Sequence, residues 1–195
     1  MGNISRRGVR LNKMRTYTER LVIRLLEEGD YSSWLTQYEN RLPSQHKYDE
    51  GKLDMSICTK EWVPDLIAKH HQMAMDDKVY VFGVFRKEDN THIGFIDFST
   101  IMREEFQWAR FGYTIHNHFW RKGYGKEAVN AAIDLAFEKL NYHRIEAHIN
   151  LDNIASIRLA ESVGMIYECT RKGFIYEDDK WTDQLVYFIN AKEAF

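Results

Sequence analysis

The sequence is poor in the features that mark secreted, metal-bound and membrane proteins. It has only two cysteines in 195 residues, Cys58 and Cys169, and they lie far apart, outside any C-x-x-C spacing. This excludes a disulfide framework and a zinc ribbon. No apolar run approaches the ~18 residues of a membrane span, and the N-terminal residues lack the apolar core of a signal peptide. These absences predict a soluble, cytoplasmic protein with no membrane partner.

An excess of one charge is also missing. The chain has 27 Lys and Arg against 29 Asp and Glu, so no overall field favours nucleic acid, and we expect no nucleic-acid partner.

The length suits one domain. Residues 1–18 are predicted as a basic arm, either mobile or simply solvated, because Arg6, Arg7, Arg10, Lys13 and Arg15 occur there before any acidic residue. Residues 19–195 are predicted as the single domain.

Alternating and helical apolar patterns predict the secondary structure. Seven segments have the pattern of strands, and three consecutive ones in residues 79–116 with short links predict an antiparallel meander. A long helix at Lys126–Leu140 is predicted to begin at the glycines before it, and a second helix to be capped by Asp152 or Asn153. The segment Arg41–Ser56 is polar and aperiodic and is predicted as a loop.

The segment W-R-K-G-Y-G-K-E-A, Trp120–Ala128, places two glycines and three cations at the start of that long helix. Such a turn can direct backbone N–H groups, with the helix dipole behind them, at a diphosphate. A solvated helix entry is the plain alternative. The G-x-G-x-x-A spacing also fits a nicotinamide-dependent enzyme, but the preceding meander and the short remaining chain disfavour that dinucleotide fold.

Three motifs in order resemble the GNAT superfamily of acetyl-CoA-dependent N-acetyltransferases, most closely the RimJ/RimL type. They are G-Y-T-I from Gly112, F-W-R-K-G-Y-G-K-E-A from Phe119 and N-I-A-S-I-R-L-A-E-S-V-G-M from Asn153. The resemblance spans Glu19–Ile189. It implies an α+β fold, with a mixed, mostly antiparallel seven-stranded sheet flanked by helices on both faces. It also implies direct acetyl transfer from acetyl-CoA to a primary amine, without a covalent enzyme intermediate.

The resemblance assigns acetyl-CoA to a cleft between two diverging strands. The strand before the turn would pair with the pantetheine arm, and the turn would bind the pyrophosphate through its amides. The residues that it implies for cofactor binding are Tyr113, Thr114, Ile115, Arg121, Lys122, Gly123, Tyr124, Gly125, Lys126, Asn153 and Ser156. Valine at Gly123 or Gly125 is expected to impair CoA binding before folding.

The resemblance also implies that the Ser156 hydroxyl protonates the departing thiolate. Its simpler role would be a first-turn hydroxyl that bonds the backbone. Many relatives have a glutamate where this chain has Arg110, and a guanidinium cannot accept a proton. Glu177, Asp97 or Asp183 could replace that base, although each could equally be a solvated or paired carboxylate.

Arg110 itself is a candidate substrate-binding residue, because a cation in the acceptor site would attract a carboxylate or phosphate. Its alternative is an ordinary surface arginine paired with Glu105 or Asp97. Bulk water can deprotonate an α-amine, with a pKa near ~7.7–8.0, more readily than a lysine near ~10.4. The sequence therefore favours a protein or peptide N-terminus as acceptor, with small-molecule amines still open.

Two further alternatives stay open at this point. The missing carboxylate at position 110 also fits a CoA-binding sensor domain that has lost catalysis. The oligomeric state is undecided, although dimers are common in the family. The histidines form no spacing with cysteines or carboxylates that indicates a metal site, so no metal is expected.

Overall fold

The structure is a computed structural model that describes residue 11 and residues 13–192. It contains eight strands: β1 (Arg15–Tyr17), β2 (Leu21–Leu25), β3 (Val79–Arg86), β4 (His92–Met102), β5 (Trp108–Ile115), β6 (Arg144–Asn150), β7 (Ile166–Glu177) and β8 (Lys180–Asn190). Its four α-helices are α1 (Tyr31–Glu39), α2 (Val63–Met75), α3 (Tyr124–Glu138) and α4 (Ile154–Ser162). No helix in the described part of the chain is long and apolar enough to cross a membrane.

All eight strands form one sheet in the order β1-β2-β3-β4-β5-β6-β8-β7. Every neighbouring pair is antiparallel except β5 and β6, which are parallel and pair only from Trp108↔Arg144 to Arg110↔Glu146. Beyond Arg110 the two strands separate, while β6 stays paired to β8 as far as Asn150↔Gln184. The sheet therefore has a V-shaped cleft between the C-terminal halves of β5 and β6.

The two faces of the sheet are covered differently. The face that packs α3 and α4, called here the α3 face, holds the main core, in which Leu21, Ile23 and Phe82 are fully buried against helix residues such as Val129 and Ala132. On the opposite face, the α1 face, α1 and α2 pack on a smaller cluster around Trp34, Ile67 and Phe85. Side chains alternate between the two faces along each strand, which explains the alternating burial of β2.

The predicted fold is confirmed, and one detail of it is wrong. The sheet has eight strands rather than seven, because Arg15–Tyr17 pairs with β2 as an edge strand. That strand lies inside the segment 1–18 predicted as a basic arm, so ordered structure begins before the predicted boundary. Residues 1–10 of the arm lie outside the described residues. The meander before the glycine turn also rules out the doubly wound sheet of the nicotinamide alternative.

Candidate active site

The glycine turn forms the N-terminus of α3. Gly123 is the N-cap residue and has a φ of 80°, a left-handed conformation that glycine adopts without steric cost. The amides of residues 123–126 have no intrahelical acceptor at this position and point out of the helix end. Arg121, Lys122 and Lys126 are exposed beside them. The turn thus combines free N–H donors, a helix dipole and positive charge, which together suit a diphosphate.

The two glycines of the turn have different roles. A methyl group added at Gly125 would lie 3.5 Å from Cδ2 of Leu159, an ordinary van der Waals distance, and Gly125 has no positive φ. A methyl group at Gly123 would lie 3.3 Å from Nη2 of Arg20 and would also occupy a strained backbone conformation. Only Gly123 therefore demands glycine for its backbone.

An ion pair beneath the turn holds it to the N-terminal strands. Glu127, in the first turn of α3, accepts hydrogen bonds from Nε of Arg20 at 2.7 Å and from Oγ1 of Thr18 at 2.5 Å. Burial alone would raise the pKa of Glu127, but these bonds outweigh it, so the pKa lies below its ordinary value. Arg20 also donates to the carbonyl of Lys122 at 3.0 Å. The backbone of the turn is thus fixed before any ligand arrives.

The predicted pantetheine strand lies on one side of the cleft. Tyr113, Thr114 and Ile115 pair with β4 on one edge, and on their other edge no described strand pairs with them because β6 has diverged. Burial raises the pKa of the Tyr113 hydroxyl to about 12, and this hydroxyl donates to the Ser156 carbonyl at 3.1 Å. An extended ligand could therefore add to the free edge of β5.

The start of α4 lies on the α3 face of the cleft. Asn153 caps this helix, with its Oδ1 accepting from the Ser156 amide at 3.2 Å. The Ser156 hydroxyl makes no hydrogen bond to any residue that the structure describes, so the simple backbone-bonding role is not adopted. The hydroxyl is left free to donate a proton to a ligand.

Asp97 lies on the α1 face of the cleft. It stands opposite Gly112 on β5, and a methyl group added at Gly112 would lie 2.4 Å from its Oδ1. The carboxylate therefore leans over the splayed strand. Burial raises the pKa of Asp97, and the positive charge of Arg110 opposes that rise. No ion pair joins Asp97 to Arg110 within the described part of the chain, although they are diagonal neighbours in the sheet.

The other two carboxylates are engaged elsewhere. Glu177 accepts hydrogen bonds from Asn150 and Thr182, the latter at 2.7 Å, and from Gln184 at 3.2 Å. Asp183 binds Nζ of Lys172 at 2.7 Å. Both carboxylates are thus paired with neighbouring polar side chains, and their catalytic roles stay predictions.

Arg110 is exposed at the apex of the cleft. It makes no hydrogen bond or ion pair with another described residue, and only the longer-range charge interaction with Asp97 acts on it. Its guanidinium is directed to the α1 face, since it shares that face with Gly112. It is therefore available to a ligand.

A loop that sequence patterns left featureless also reaches the site. Asn117, only 5 % exposed, accepts from the amide of Leu42 at 2.7 Å and donates to its carbonyl at 2.8 Å and to Asp49 at 3.0 Å. His46 stacks on Trp120 of the turn, and Tyr48 hydrogen bonds to Asp152 before α4. Loop 41–51 thus bridges the two ends of the cleft. These contacts join residues far apart in sequence, so no local pattern could predict them.

The comparisons with known proteins agree with this geometry. Residues 20–166 match the family model described as an acetyltransferase (GNAT) domain. The uncharacterized N-acetyltransferase p20 of Bacillus licheniformis is 30% identical over 171 residues, which cover 87% of this chain and 90% of that protein. The chain belongs to the GNAT acetyltransferase family. It is therefore an N-acetyltransferase.

Two further GNAT proteins are similar over nearly the whole chain. The ribosomal protein uS5-alanine N-acetyltransferase of Escherichia coli is 29% identical over 182 residues, covering 92% of this chain and 93% of that enzyme. RimJ of Mycobacterium smegmatis, solved in complex with CoA-disulfide, has a TM-score of 0.71 and 20% identity, covering 88% of this chain and 82% of that one. The GNAT family uses acetyl-CoA, and the free amides, exposed cations and unpaired β5 edge of this acetyltransferase fit that molecule.

Proposed function

We propose that this protein transfers the acetyl group of acetyl-CoA to the α-amine of a protein or peptide, with acidic residues close to that amine. The observation that carries the proposal is the two-sided cleft. On the α3 face, the glycine turn, the free β5 edge and Asn153 would hold the CoA portion. On the α1 face, Asp97 and Arg110 meet the acceptor. The bound thioester supplies the activated acetyl group, and the described residues supply binding, orientation and proton transfer.

Each side of the cleft has a separate task. Ser156, whose hydroxyl is free, lies on the α3 face, where the thiolate would leave. Backbone amides at the splayed edge of β5 would polarise the thioester carbonyl. Asp97 supplies the negative charge that attracts an ammonium group. Of the three carboxylates predicted as the base, Asp97 is the one beside Gly112, while Glu177 accepts hydrogen bonds from Thr182 and Gln184 and Asp183 pairs with Lys172.

An acidic acceptor follows from the charge at the apex. Arg110 is exposed and free of partners in the described structure, so it would bind a carboxylate on the acceptor and repel polyamines. The preference for α-amines rests on their lower pKa. The relative named as a ribosomal-protein alanine acetyltransferase supports a protein N-terminus as acceptor. We propose the cytoplasm as its compartment, since Cys58 and Cys169 are both free.

The alternative of a CoA-binding sensor without catalysis rested on Arg110 replacing a carboxylate. Asp97 places a carboxylate in the same cleft, which weakens that alternative. A sensor would bind acetyl-CoA and release no thiol with any amine.

The test is a thiol-release assay with two peptides that share an N-terminal alanine and differ in the next residues, acidic in one and lysine in the other. We expect the acidic peptide to have the higher kcat/KM. Arg110→Glu should lower kcat/KM for the acidic peptide about 30-fold and so reverse the preference, because it turns a charge attraction of about 1 kcal/mol into a repulsion of similar size. Binding of acetyl-CoA should not change. An unaltered preference in this variant would refute the acidic acceptor, and no turnover of either peptide would refute a peptide acceptor.

A further inference from the structure

A row of side chains crosses the cleft on the α1 face. Asp97 on β4 stands opposite Gly112 on β5, and Arg110 on β5 pairs with Glu146 on β6. His148 lies two residues beyond Glu146 on β6, as Gly112 lies two residues beyond Arg110 on β5, past the point where the two strands part. Alternation along the strands puts Asp97 and His148 on the same face. The two side chains therefore flank the cleft, and because β5 and β6 have diverged here, they lie more than two strand spacings, or ~10 Å, apart.

Gly112 leaves the space between them open. It has no side chain, and the carboxylate of Asp97 leans over its backbone, toward the cleft. An amine that reached the cleft from the α1 face would have Asp97 on one side and His148 on the other. The thiol side of the cleft lies on the opposite face, next to Ser156.

His148 is oriented by a buried carboxylate. Its Nε2 lies 3.1 Å from Oε2 of Glu146, and Glu146 is only 1 % exposed. Since an ionised carboxylate can only accept a hydrogen bond, the proton of a neutral His148 belongs on Nε2, and Nδ1 holds the lone pair. Nδ1 makes no hydrogen bond to another described residue, and the side chain is only 5% exposed. This carboxylate-oriented imidazole is the arrangement in which histidine acts as a base.

Glu146 stays ionised in its buried position. Burial would raise the pKa of its carboxyl, but hydrogen bonds from His148 and Arg144 and the charge of Arg171 outweigh it, so the pKa is lowered. Nε of Arg144 lies 2.8 Å from Oε1, and Nη2 of Arg171 lies 3.2 Å from Oε2. The carboxylate is therefore fully compensated.

Both signs of charge face the imidazole. Arg171 on β7 approaches Nε2 to 3.4 Å through its Nη1, while Glu146 lies on the same strand as the ring. Titratable groups that neighbouring strands place on this face include Arg144 on β6, Arg110 on β5, Asp97 on β4, Glu168, Cys169 and Glu177 on β7, and Lys180 on β8. Histidine is the side chain whose charge ordinarily changes between about pH 5 and pH 8, the range in which an α-amine must lose its proton.

We propose that His148, oriented by Glu146, is the general base of the acetyl transfer, and that Asp97 binds the incoming ammonium group. The inference rests on the proposed function. The ammonium gives one proton to Nδ1 of His148, and the free amine forms a bond to the thioester carbonyl carbon while the C–S bond breaks. The thiolate takes up the second amine proton, and the imidazolium returns its proton to water. His148 is a catalytic residue in this scheme, and Glu146 is a positioning residue.

The test compares pH profiles of kcat/KM for His148→Gln and Asp97→Asn, using acetyl-CoA and the alanine peptide with acidic residues. His148→Gln should lower kcat/KM about 100-fold near neutral pH, within the usual range for a general base. The deficit should shrink as the pH rises past the pKa of the amine at ~7.7–8.0, where free amine is present without a base. Asp97→Asn should mainly raise KM for the peptide and keep the shape of the profile. His143→Gln, at an exposed histidine just before β6, is the matched control and should resemble wild type.

Calorimetric binding of acetyl-CoA and circular dichroism show whether each variant is folded and loaded. Glu146→Gln should lower kcat/KM less than His148→Gln and shift the acid limb of the profile. If the fall of kcat/KM at acid pH were the same in a folded His148→Gln variant as in wild type, the inference would be overturned and the proposed function would stand. If Asp97→Asn instead removed the fall of kcat/KM at acid pH, the base would be Asp97, and the inference would again be overturned. If wild type turned over no peptide, the proposed function and the inference would both fail.

Discussion

Replacement of Gly123 by alanine is the sharpest perturbation of the cofactor site. Gly123 has a φ of 80° and begins α3, and a residue with a Cβ loses roughly 1–2 kcal/mol in this conformation. If the chain keeps the turn, it bears this strain. If it relaxes, the amides of residues 123–126 no longer converge. In the first case the strain lowers the stability of the fold; in the second, CoA must restore the turn on binding, and we expect binding to weaken by about 5- to 30-fold, since 1.4 kcal/mol is a factor of ten.

Gly125→Ala is the matched control, because its added methyl would make only an ordinary contact with Leu159 at 3.5 Å. Its CoA affinity should stay within about twofold of wild type. Its helix should gain up to ~1 kcal/mol, because alanine favours a helix over glycine. Titration calorimetry with CoA measures the affinities, and urea unfolding measures the stabilities. Equal CoA affinity for Gly123→Ala and wild type, or a large loss in Gly125→Ala alone, would refute this explanation of the turn.

Two other predictions concern the elements around the cleft. Asn117→Ala should lower the unfolding free energy by about 1–3 kcal/mol, because it leaves buried groups of loop 41–51 unpaired. Limited proteolysis of this variant should then cut within residues 41–51. Wild-type stability together with an uncut loop would contradict the prediction. The buried pair His92 and His116, whose pKa values burial lowers to about 3 and about 2, should make the protein less stable as the pH falls below ~6.5. The unfolded chain binds protons that the folded chain excludes. Urea unfolding near pH 7 and near pH 5 measures the loss of unfolding free energy, and His116→Gln should make this loss smaller. Equal stability of the wild-type protein at both pH values would contradict the prediction for these two histidines.

The sequence was most informative where structure is local. Alternating apolar residues located the strands, and the glycines before Lys126 located the start of α3, since both depend on neighbouring residues. The strand β1 was missed because Arg15–Tyr17 is too short and polar to show alternation. It is held by its register with β2.

The site was only partly predictable for the same reason. The cofactor residues followed from motifs, and their roles remain predictions. The free state of Arg110 and the bonded state of Glu177 depend on which strands lie next to each other. The pair of Glu146 and His148 is suggested by their spacing, two residues apart on one strand face. Its position across the cleft from Asp97 depends on the pairing of β5 with β6, which the sequence did not reveal.

The central claim is that the turn at Gly123 and the cleft between β5 and β6 together bind acetyl-CoA. Calorimetric titration of the purified, folded protein with acetyl-CoA tests it most directly. We predict saturable binding of one molecule per chain, weakened by Gly123→Ala and retained by Gly125→Ala. No heat at millimolar acetyl-CoA, from protein shown to be folded by circular dichroism, would contradict the claim.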